Sequence, residues 1–204
     1  MTNTNNTKRT RKTSIIKLTE CAMLLALSII LSFVTVYHMP MGGGITLLSM
    51  LPVMLVSIKY GIGTGLSVSL TFSLFQLLQG ILSGNVFVYC TTASAQIICA
   101  LFDYIVPFTV LGFAGIFVNI GKKNSSVNTY ILKAVSGIAI MIFLRFVCHY
   151  ITGVVIWGQW AEDMSPYLYS LIYNAQYMLP ECIFTAVAAA ILLRVNRIRQ
   201  LLSK

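Results

Sequence analysis

Three polar side chains, Asp103, His149 and Asn174, lie within apolar stretches of the sequence. An ionisable group near the centre of a bilayer costs about 2.5–3.5 kcal/mol, so it needs a partner or a water-filled cavity. The aromatic residues near them in the sequence are Tyr89, Tyr104, Trp157, Trp160, Tyr169, Tyr173 and Tyr177. A carboxylate can offset a positive charge, an imidazole and an amide can orient a ligand, and aromatic rings can stack on it. These residue types predict a pocket for a flat, polar ligand that can carry a positive charge.

Arg145 and Glu181 also lie inside apolar runs, each about thirteen residues from the predicted outer end of its run. At 1.5 Å per residue, both side chains are roughly 20 Å along two antiparallel helices. We therefore expect a structural ion pair between them. The same counting places the three polar residues of the pocket roughly 9–15 Å below the outer surface, at one shallower depth.

The elements that must position these residues are membrane-spanning helices. Of the 204 residues, 57% are hydrophobic and 9% are charged, with a mean hydropathy of +0.84; roughly a quarter are charged in an ordinary soluble domain. A spanning helix needs about 20 apolar residues, so there is room for one bundle and no soluble domain. The apolar segments cover residues 15–37, 45–58, 62–82, 93–120, 127–157 and 168–193. This pattern predicts an all-α integral membrane bundle of six transmembrane helices.

The charged residues orient this bundle. Fourteen Lys and Arg residues face five Asp and Glu residues, for a net charge of +9. Every Lys and Arg except Arg145 falls on one side of the predicted spans, whereas Glu162 and Asp163 fall on the other. Lys and Arg near span ends are retained in the cytoplasm, so we predict that both termini are cytoplasmic. The positive charge then needs no nucleic-acid partner to explain it. We divide the chain into a polar basic tail (1–14), one transmembrane domain (15–198) and a short basic tail (199–204).

The remaining motifs predict structure rather than chemistry. The five cysteines form no CxxC pair and are interpreted as small buried hydrophobic residues. The stretch 61–65, GIGTG, lacks the GK[ST] of a phosphate loop and is interpreted as a small-residue helix face or a turn. No Walker motif occurs in the sequence, so any ATP-driven transport requires hydrolysis by another subunit. We predict no catalytic residue, no metal and no cofactor.

The candidate residues belong to a longer pattern. It consists of the run from Arg145 to Trp160 (RFVCHYITGVVIWGQW), the run from Tyr169 to Glu181 (YSLIYNAQYMLPE), the segment Phe102–Pro107 (FDYIVP) and the loop from Met39 to Pro52. These stretches resemble the thiamine-specific substrate-binding (S) component of energy-coupling factor (ECF) transporters. The likeness covers the chain from about residue 18 to the end of the last span. The spacing of the His, Trp, Tyr and Asn residues is its specific part.

The resemblance implies a six-helix vitamin-binding protein of the bacterial cytoplasmic membrane, with its site near the extracellular face. It implies high-affinity thiamine binding and uptake, with a transmembrane coupling subunit and two ATPase subunits as partners within the lipid bilayer. It assigns ligand contacts to Asp103, His149, Trp157, Tyr169 and Asn174, with Tyr104 and Gly153 lining the site. Further candidates for the lining are Tyr89, Trp160 and Tyr177.

Three other sequence features bear on this resemblance. Ala22 and Ala26 match a small-residue face that docks on the coupling subunit. Asp103 stands where the pattern usually has Glu, one methylene longer. The loop Gly42–Gly44 replaces an aromatic lid residue, and its glycines can offer backbone N–H groups and mobility.

Several alternatives remain open from the sequence. The nearest is an S component for another flat heterocycle, such as riboflavin or a queuosine precursor. An intramembrane enzyme would use Asp103, His149 or Glu181 as acid–base groups, but the sequence has no HExxH motif and no nucleophile with a base at plausible spacing. A purely structural bundle leaves the clustering of acid, imidazole and amide at one depth unexplained.

Overall fold

A computed structural model of the chain describes residues 2–40, 42–84, 89–119 and 126–202, with side chains from Thr13 onward. The helices and strands are α1 (Thr2–Ser32), β1 (Thr35–His38), β2 (Gly44–Thr46), α2 (Leu51–Tyr60), α3 (Ile62–Leu82), α4 (Ala93–Cys99), a π-helical turn (Ala100–Ile105), α5 (Val106–Thr109), a 3₁₀ turn (Val110–Phe113), α6 (Ile116–Asn119), α7 (Val127–Val155), a second 3₁₀ turn (Trp157–Trp160), α8 (Pro166–Arg194) and α9 (Asn196–Leu202).

The described residues contain five helical segments that are long and apolar enough to cross a membrane. They are Thr13–Ser32, Ile62–Leu82, Ala93–Asn119, Val127–Val155 and Pro166–Arg194. Many of their large apolar side chains face outward, and Leu82, for example, is 78% exposed. Lipid tails rather than water suit such a surface. The chain is therefore a helical, multi-pass membrane protein.

The N-terminal segment predicted as a polar tail is helical from Thr2 and continuous with the first span. The charged side chains used for orientation that lie outside the described residues are Lys8, Arg9, Arg11, Lys12, Lys122, Lys123 and Lys204.

The connection between the first two apolar segments contains a β-hairpin, so the all-helical prediction is wrong there. α1 ends at Ser32, and the β-branched and aromatic run that follows, predicted as the end of span 1, forms β1. β1 pairs antiparallel with β2, with Tyr37 opposite Ile45. The turn needs glycine, because Gly42 and Gly43 have φ values of +96° and +80°.

For the second apolar segment, the prediction of one continuous helix over residues 45–58 is wrong. Gly44–Thr46 belongs to β2, and α2 has only ten residues, about 15 Å or half of the hydrocarbon thickness. Eight of these ten residues, Leu51 to Ile58, are buried. Short apolar helices of this kind are typical of a buried core rather than of a lipid-exposed span. α2 is thus the centre of the bundle, packed against α3 and α1.

The stretch 61–65 provides a turn and a close contact, as predicted, and no phosphate loop. Gly61 has φ +86° and separates α2 from α3. A Cβ on Gly65 would lie 2.6 Å from the carbonyl oxygen of Gly112, and one on Gly112 would lie 2.6 Å from the backbone of Leu66. The two glycines therefore let α3 cross the first 3₁₀ turn at backbone distance.

The last two long helices, α7 and α8, form the most extensive helix pair in the bundle. Side-chain hydroxyls cap both helices: Ser126 accepts from the N–H of Thr129, and Ser165 accepts from that of Leu168. Pro166 follows at the first helical position, where no N–H is needed. These caps satisfy backbone N–H groups in the first turn of each helix and define where α7 and α8 begin.

Candidate functional site

A cavity of about 280 Å³ lies between the hairpin, α1, α3, the π-helical turn, α7 and α8. Pockets for small molecules have volumes of roughly 300–1,000 Å³, so this cavity is close to the lower end of that range. The residues predicted for the site that line this cavity are Asp103, Tyr104, His149, Gly153, Trp157, Tyr169, Asn174 and Tyr177. The topology therefore brings together side chains from three separate apolar segments.

Asp103 lies in the π-helical turn and is 8% exposed. Its Oδ1 accepts a short hydrogen bond from the Thr152 hydroxyl and lies 3.2 Å from His149 Nδ1. Its Oδ2 accepts from Trp157 Nε1 and from Cys99 Sγ, both at 3.3 Å. A buried carboxylate needs such donors, and here they hold it at the wall of the cavity. Sequence reasoning missed Thr152, which lies three residues after His149 in α7.

His149 and Gly153 lie one turn apart on the cavity face of α7. Asp103 engages Nδ1, whereas the other ring nitrogen, Nε2, is buried and has no hydrogen-bond partner in the described part of the chain. Gly153 is required for packing, since a Cβ there would collide with Ser170 Oγ and lie 3.1 Å from Asn174 Nδ2. α8 thus approaches the face of α7 that lines the cavity closely.

Asn174 is buried in α8, and its amide is largely occupied by the protein. Nδ2 donates to the carbonyl oxygens of Ser170 (2.9 Å) and His149 (3.3 Å), and Oδ1 accepts from Tyr177 OH at 2.9 Å. The side chain therefore joins α7 to α8 and orients Tyr177. One acceptor lone pair of Oδ1 remains for a ligand.

Aromatic rings form one end of the site. Trp157 lines the cavity, and Tyr89 contacts it edge-on at a centroid distance of 5.6 Å. Tyr89 also contacts Trp160 at 5.7 Å, but neither Tyr89 nor Trp160 lines the cavity. Tyr169 lies 5.7 Å from Tyr173, and both line it. Of the two predicted lining candidates outside the cavity, Tyr89 therefore packs against both Trp157 and Trp160.

Arg145 and Glu181 form the ion pair expected from their depths, with Nη1 2.9 Å from Oε2. Glu181 Oε1 also accepts from Thr46, at 2.6 Å from Oγ1 and 3.4 Å from the backbone N. The Arg145 guanidinium lies 4.6 Å from the ring centroid of Phe108. The pair therefore fastens the hairpin to α7 and α8, a role that sequence reasoning did not foresee.

The glycines of the hairpin, Gly42 to Gly44, line the cavity. The carbonyl of Gly42 accepts from Tyr173 OH at 2.9 Å, and a Cβ on Gly43 would lie 3.0 Å from the Tyr177 ring. Met39 is buried against Tyr177 and Met178. The predicted glycine loop thus packs directly on aromatic residues of α8.

Sequence reasoning also missed polar residues of α1 and α3. Ser32, Gln76 and Gln79 line the cavity, and a hydroxyl contact joins Ser32 to Gln79. Two amide side chains three residues apart in an otherwise apolar span were the available signal. Outside the site, Ala22 and Ala26 lie together on the exposed face of α1.

The amino-acid sequence matches a known protein family and two known thiamine transporters. Residues 18–200 match the family described as "Thiamine transporter protein (Thia_YuaJ)". Thiamine transporter ThiT of Bacillus subtilis is 33% identical over 184 residues, covering 87% of this chain and 90% of that protein. Thiamine transporter ThiT of Lacticaseibacillus paracasei is 31% identical over 102 residues, covering 47% of this chain and 49% of that protein.

The fold agrees with a solved structure as well. ThiT from Listeria monocytogenes is 25% identical, with a TM-score of 0.72, and the match covers 91% of this chain and 97% of that one. Because sequence and fold both match over most of the chain, the chain belongs to the thiamine transporter protein family (Thia_YuaJ).

Proposed function

We propose that this protein is the thiamine-binding S component of an ATP-driven ECF transporter in the bacterial cytoplasmic membrane. It captures thiamine at a site near the extracellular face, with both termini in the cytoplasm. Six segments cross the bilayer in this proposal, and the hairpin together with α2 makes the second crossing. The family match and the cavity chemistry support the ligand, and the distribution of Lys and Arg supports the orientation.

The observation that carries this proposal is the buried Asp103 carboxylate beside Trp157 and His149 in one cavity. Thiamine carries a permanent positive charge on its thiazolium ring, and a carboxylate and electron-rich ring faces lower the cost of burying it. Its aminopyrimidine edge has both donors and acceptors. His149 Nε2 and the remaining lone pair of Asn174 Oδ1 are free to complement such an edge.

The proposed partners are a transmembrane coupling subunit and two ATPases, which hydrolyse ATP while this chain leaves its ligand chemically unchanged. Ala22 and Ala26 support a docking face, because they lie one turn apart on the exposed side of α1. Ala22→Leu should reduce co-purification with the coupling subunit and leave thiamine binding intact. Val187→Leu, on the exposed face of α8, adds bulk elsewhere and should change neither. Equal co-purification of both variants would exclude this face.

Thiamine titration of the purified protein, followed by tryptophan fluorescence, tests the ligand. The chain has two tryptophans, of which Trp157 lines the cavity and Trp160 does not. Wild type and Trp160→Phe should both show saturable quenching. Trp157→Phe should lose most of the quenching, and Trp157→Ala should also lose about 1–3 kcal/mol of binding free energy if the ring stacks on the cation. Absence of saturable thiamine binding by wild type would refute the function.

Competition separates the alternative ligands. Unlabelled thiamine should displace bound labelled thiamine at far lower concentration than riboflavin or a queuosine precursor. Recovery of the bound ligand unchanged after long incubation tests the absence of turnover, and a modified product would favour an enzyme instead.

A further inference from the structure

One face of α3 presents polar and small residues to the cavity, and none of them belongs to the ligand set implied by the resemblance. These are Gln76, Gln79, Gly80 and Ser83, at positions i, i+3, i+4 and i+7, and they extend roughly 10 Å along the helix direction. Ser32 at the end of α1 lies beside them. One turn from Gln76, the fully buried Phe72 packs edge-on against Phe108, which itself lines the cavity.

Gln76 has an unused hydrogen-bonding group. Its Oε1 is buried and lacks a partner in the part of the chain that the structure describes. A buried acceptor without a donor is costly, and such groups in native proteins have a reason. The side chain lines the cavity, so a rotation of its amide can present this oxygen to a bound molecule that supplies the missing donor.

Gln79 provides a second acceptor once the protons are counted. Ser32 Oγ lies 2.7 Å from the carbonyl of Ile29 and 3.2 Å from Gln79 Oε1, but it has a single proton. The shorter bond takes that proton, so the contact with Gln79 is satisfied only if the amide is rotated and its NH₂ donates to Ser32. This rotation frees the carbonyl oxygen of Gln79 from Ser32.

This group of residues differs in charge from the part of the lining that contains Asp103 and Arg145. Asp103 brings a negative charge, and the guanidinium of Arg145 is paired with Glu181. Ser32, Gln76 and Gln79 are neutral and present acceptors, which suits an uncharged O–H donor. Thiamine has one such group, the hydroxyl of its aliphatic side chain.

We propose that Gln76, Gln79 and Ser32 form a second polar subsite that binds the aliphatic hydroxyl group of the ligand and selects for it. This inference rests on the proposed function. The two glutamines are then specificity-determining residues. A site built to hydrogen-bond a hydroxyl rejects an analogue that lacks it, because its own polar groups stay unpaired.

The test compares thiamine with an analogue in which ethyl replaces hydroxyethyl, by titration of the purified full-length protein. Wild type should prefer thiamine by about tenfold. Gln76→Met keeps the side-chain length and removes the amide. It should weaken thiamine binding by about tenfold, leave the affinity for the ethyl analogue nearly unchanged and bring the preference close to one. Gln79→Met should act in the same direction and serves as the independent variant if Gln76→Met does not fold.

Gln159→Met is the matched control, because Gln159 is exposed and does not line the cavity. It should retain the wild-type preference. An unchanged preference in the α3 variants, or an equal loss of affinity for both ligands, would overturn the subsite while wild-type thiamine binding still supports the proposed function. Failure of wild type to bind thiamine would overturn both.

Discussion

Replacement of Glu181 by glutamine tests how the buried ion pair supports the site. In the structure, Glu181 binds Arg145 through Oε2 and the hairpin residue Thr46 through Oε1. Glutamine retains an oxygen that can accept from Thr46, but it leaves the Arg145 charge without a counter-ion. Arg145→Met then removes that charge while keeping an unbranched apolar stem. The two single variants and the double variant form a thermodynamic cycle.

The magnitude follows from the geometry. At 2.9 Å and an effective dielectric constant of about 20, the two charges attract each other by about 6 kcal/mol. Their side chains are only 7% and 3% exposed, so desolvation offsets this gain by several kcal/mol per ion. Loss of one partner should therefore cost about 3–5 kcal/mol, whereas loss of both should cost much less. For a chain of this size, the Glu181→Gln deficit corresponds to a fall in melting temperature of roughly 6–20 °C.

The assay is thermal or denaturant unfolding in detergent, followed by tryptophan fluorescence. The double variant should be more stable than Glu181→Gln alone. A double variant that loses the sum of the two single losses would refute the coupling. The control is Glu20→Gln, since Glu20 pairs with Lys59 with 37% of its side chain exposed, and it should cost no more than about 1 kcal/mol.

Three further substitutions probe the site. Gly153→Ala should lower thiamine affinity at least tenfold, because its Cβ clashes with Ser170 Oγ. Adding Ser170→Gly should recover part of the lost affinity. If the titration shows no recovery, the clash is not the cause of the loss. Tyr173→Phe removes the hydrogen bond to the Gly42 carbonyl and should raise the thiamine dissociation rate severalfold in stopped-flow chase experiments. An unchanged rate would mean that the hairpin turn does not help to retain the ligand. Asp103→Asn should weaken thiamine binding about 10–100-fold through loss of the negative charge. If the variant and wild type have equal affinities in the same titration, the thiazolium ring does not lie beside Asp103.

Helix geometry explains why much of the site was predictable from sequence. The rise per residue in a helix is fixed, so counting from the span ends placed Arg145 opposite Glu181, and the structure pairs them. The same counting placed Asp103, His149 and Asn174 at one depth, and all three line the cavity. Their roles as thiamine ligands remain a prediction.

Features that depend on tertiary contacts were not predictable in this way. Hydropathy does not distinguish a buried ten-residue helix such as α2 from part of a span, because both are apolar. The hairpin forms where its turn packs on Tyr173 and Tyr177 of α8, more than a hundred residues away in the sequence. Gln76 and Gln79 were not predicted as site residues, because the search for charged groups within the apolar segments does not detect neutral amides.

The π-helical turn Ala100–Ile105 links the lining of the cavity to the packing of the bundle. A π turn holds one more residue than an α turn, so it rotates everything after it by roughly 100° relative to an unbroken helix. Downstream of it, Leu111 and Ala114 are buried in the central core, while Asp103 within it lines the cavity. Deletion of one residue there would restore a regular helix but could not keep both the carboxylate and the apolar side chains facing inward. A change in segment length here would therefore disturb the core and the carboxylate together, whereas a substitution leaves the phase of the helix unchanged.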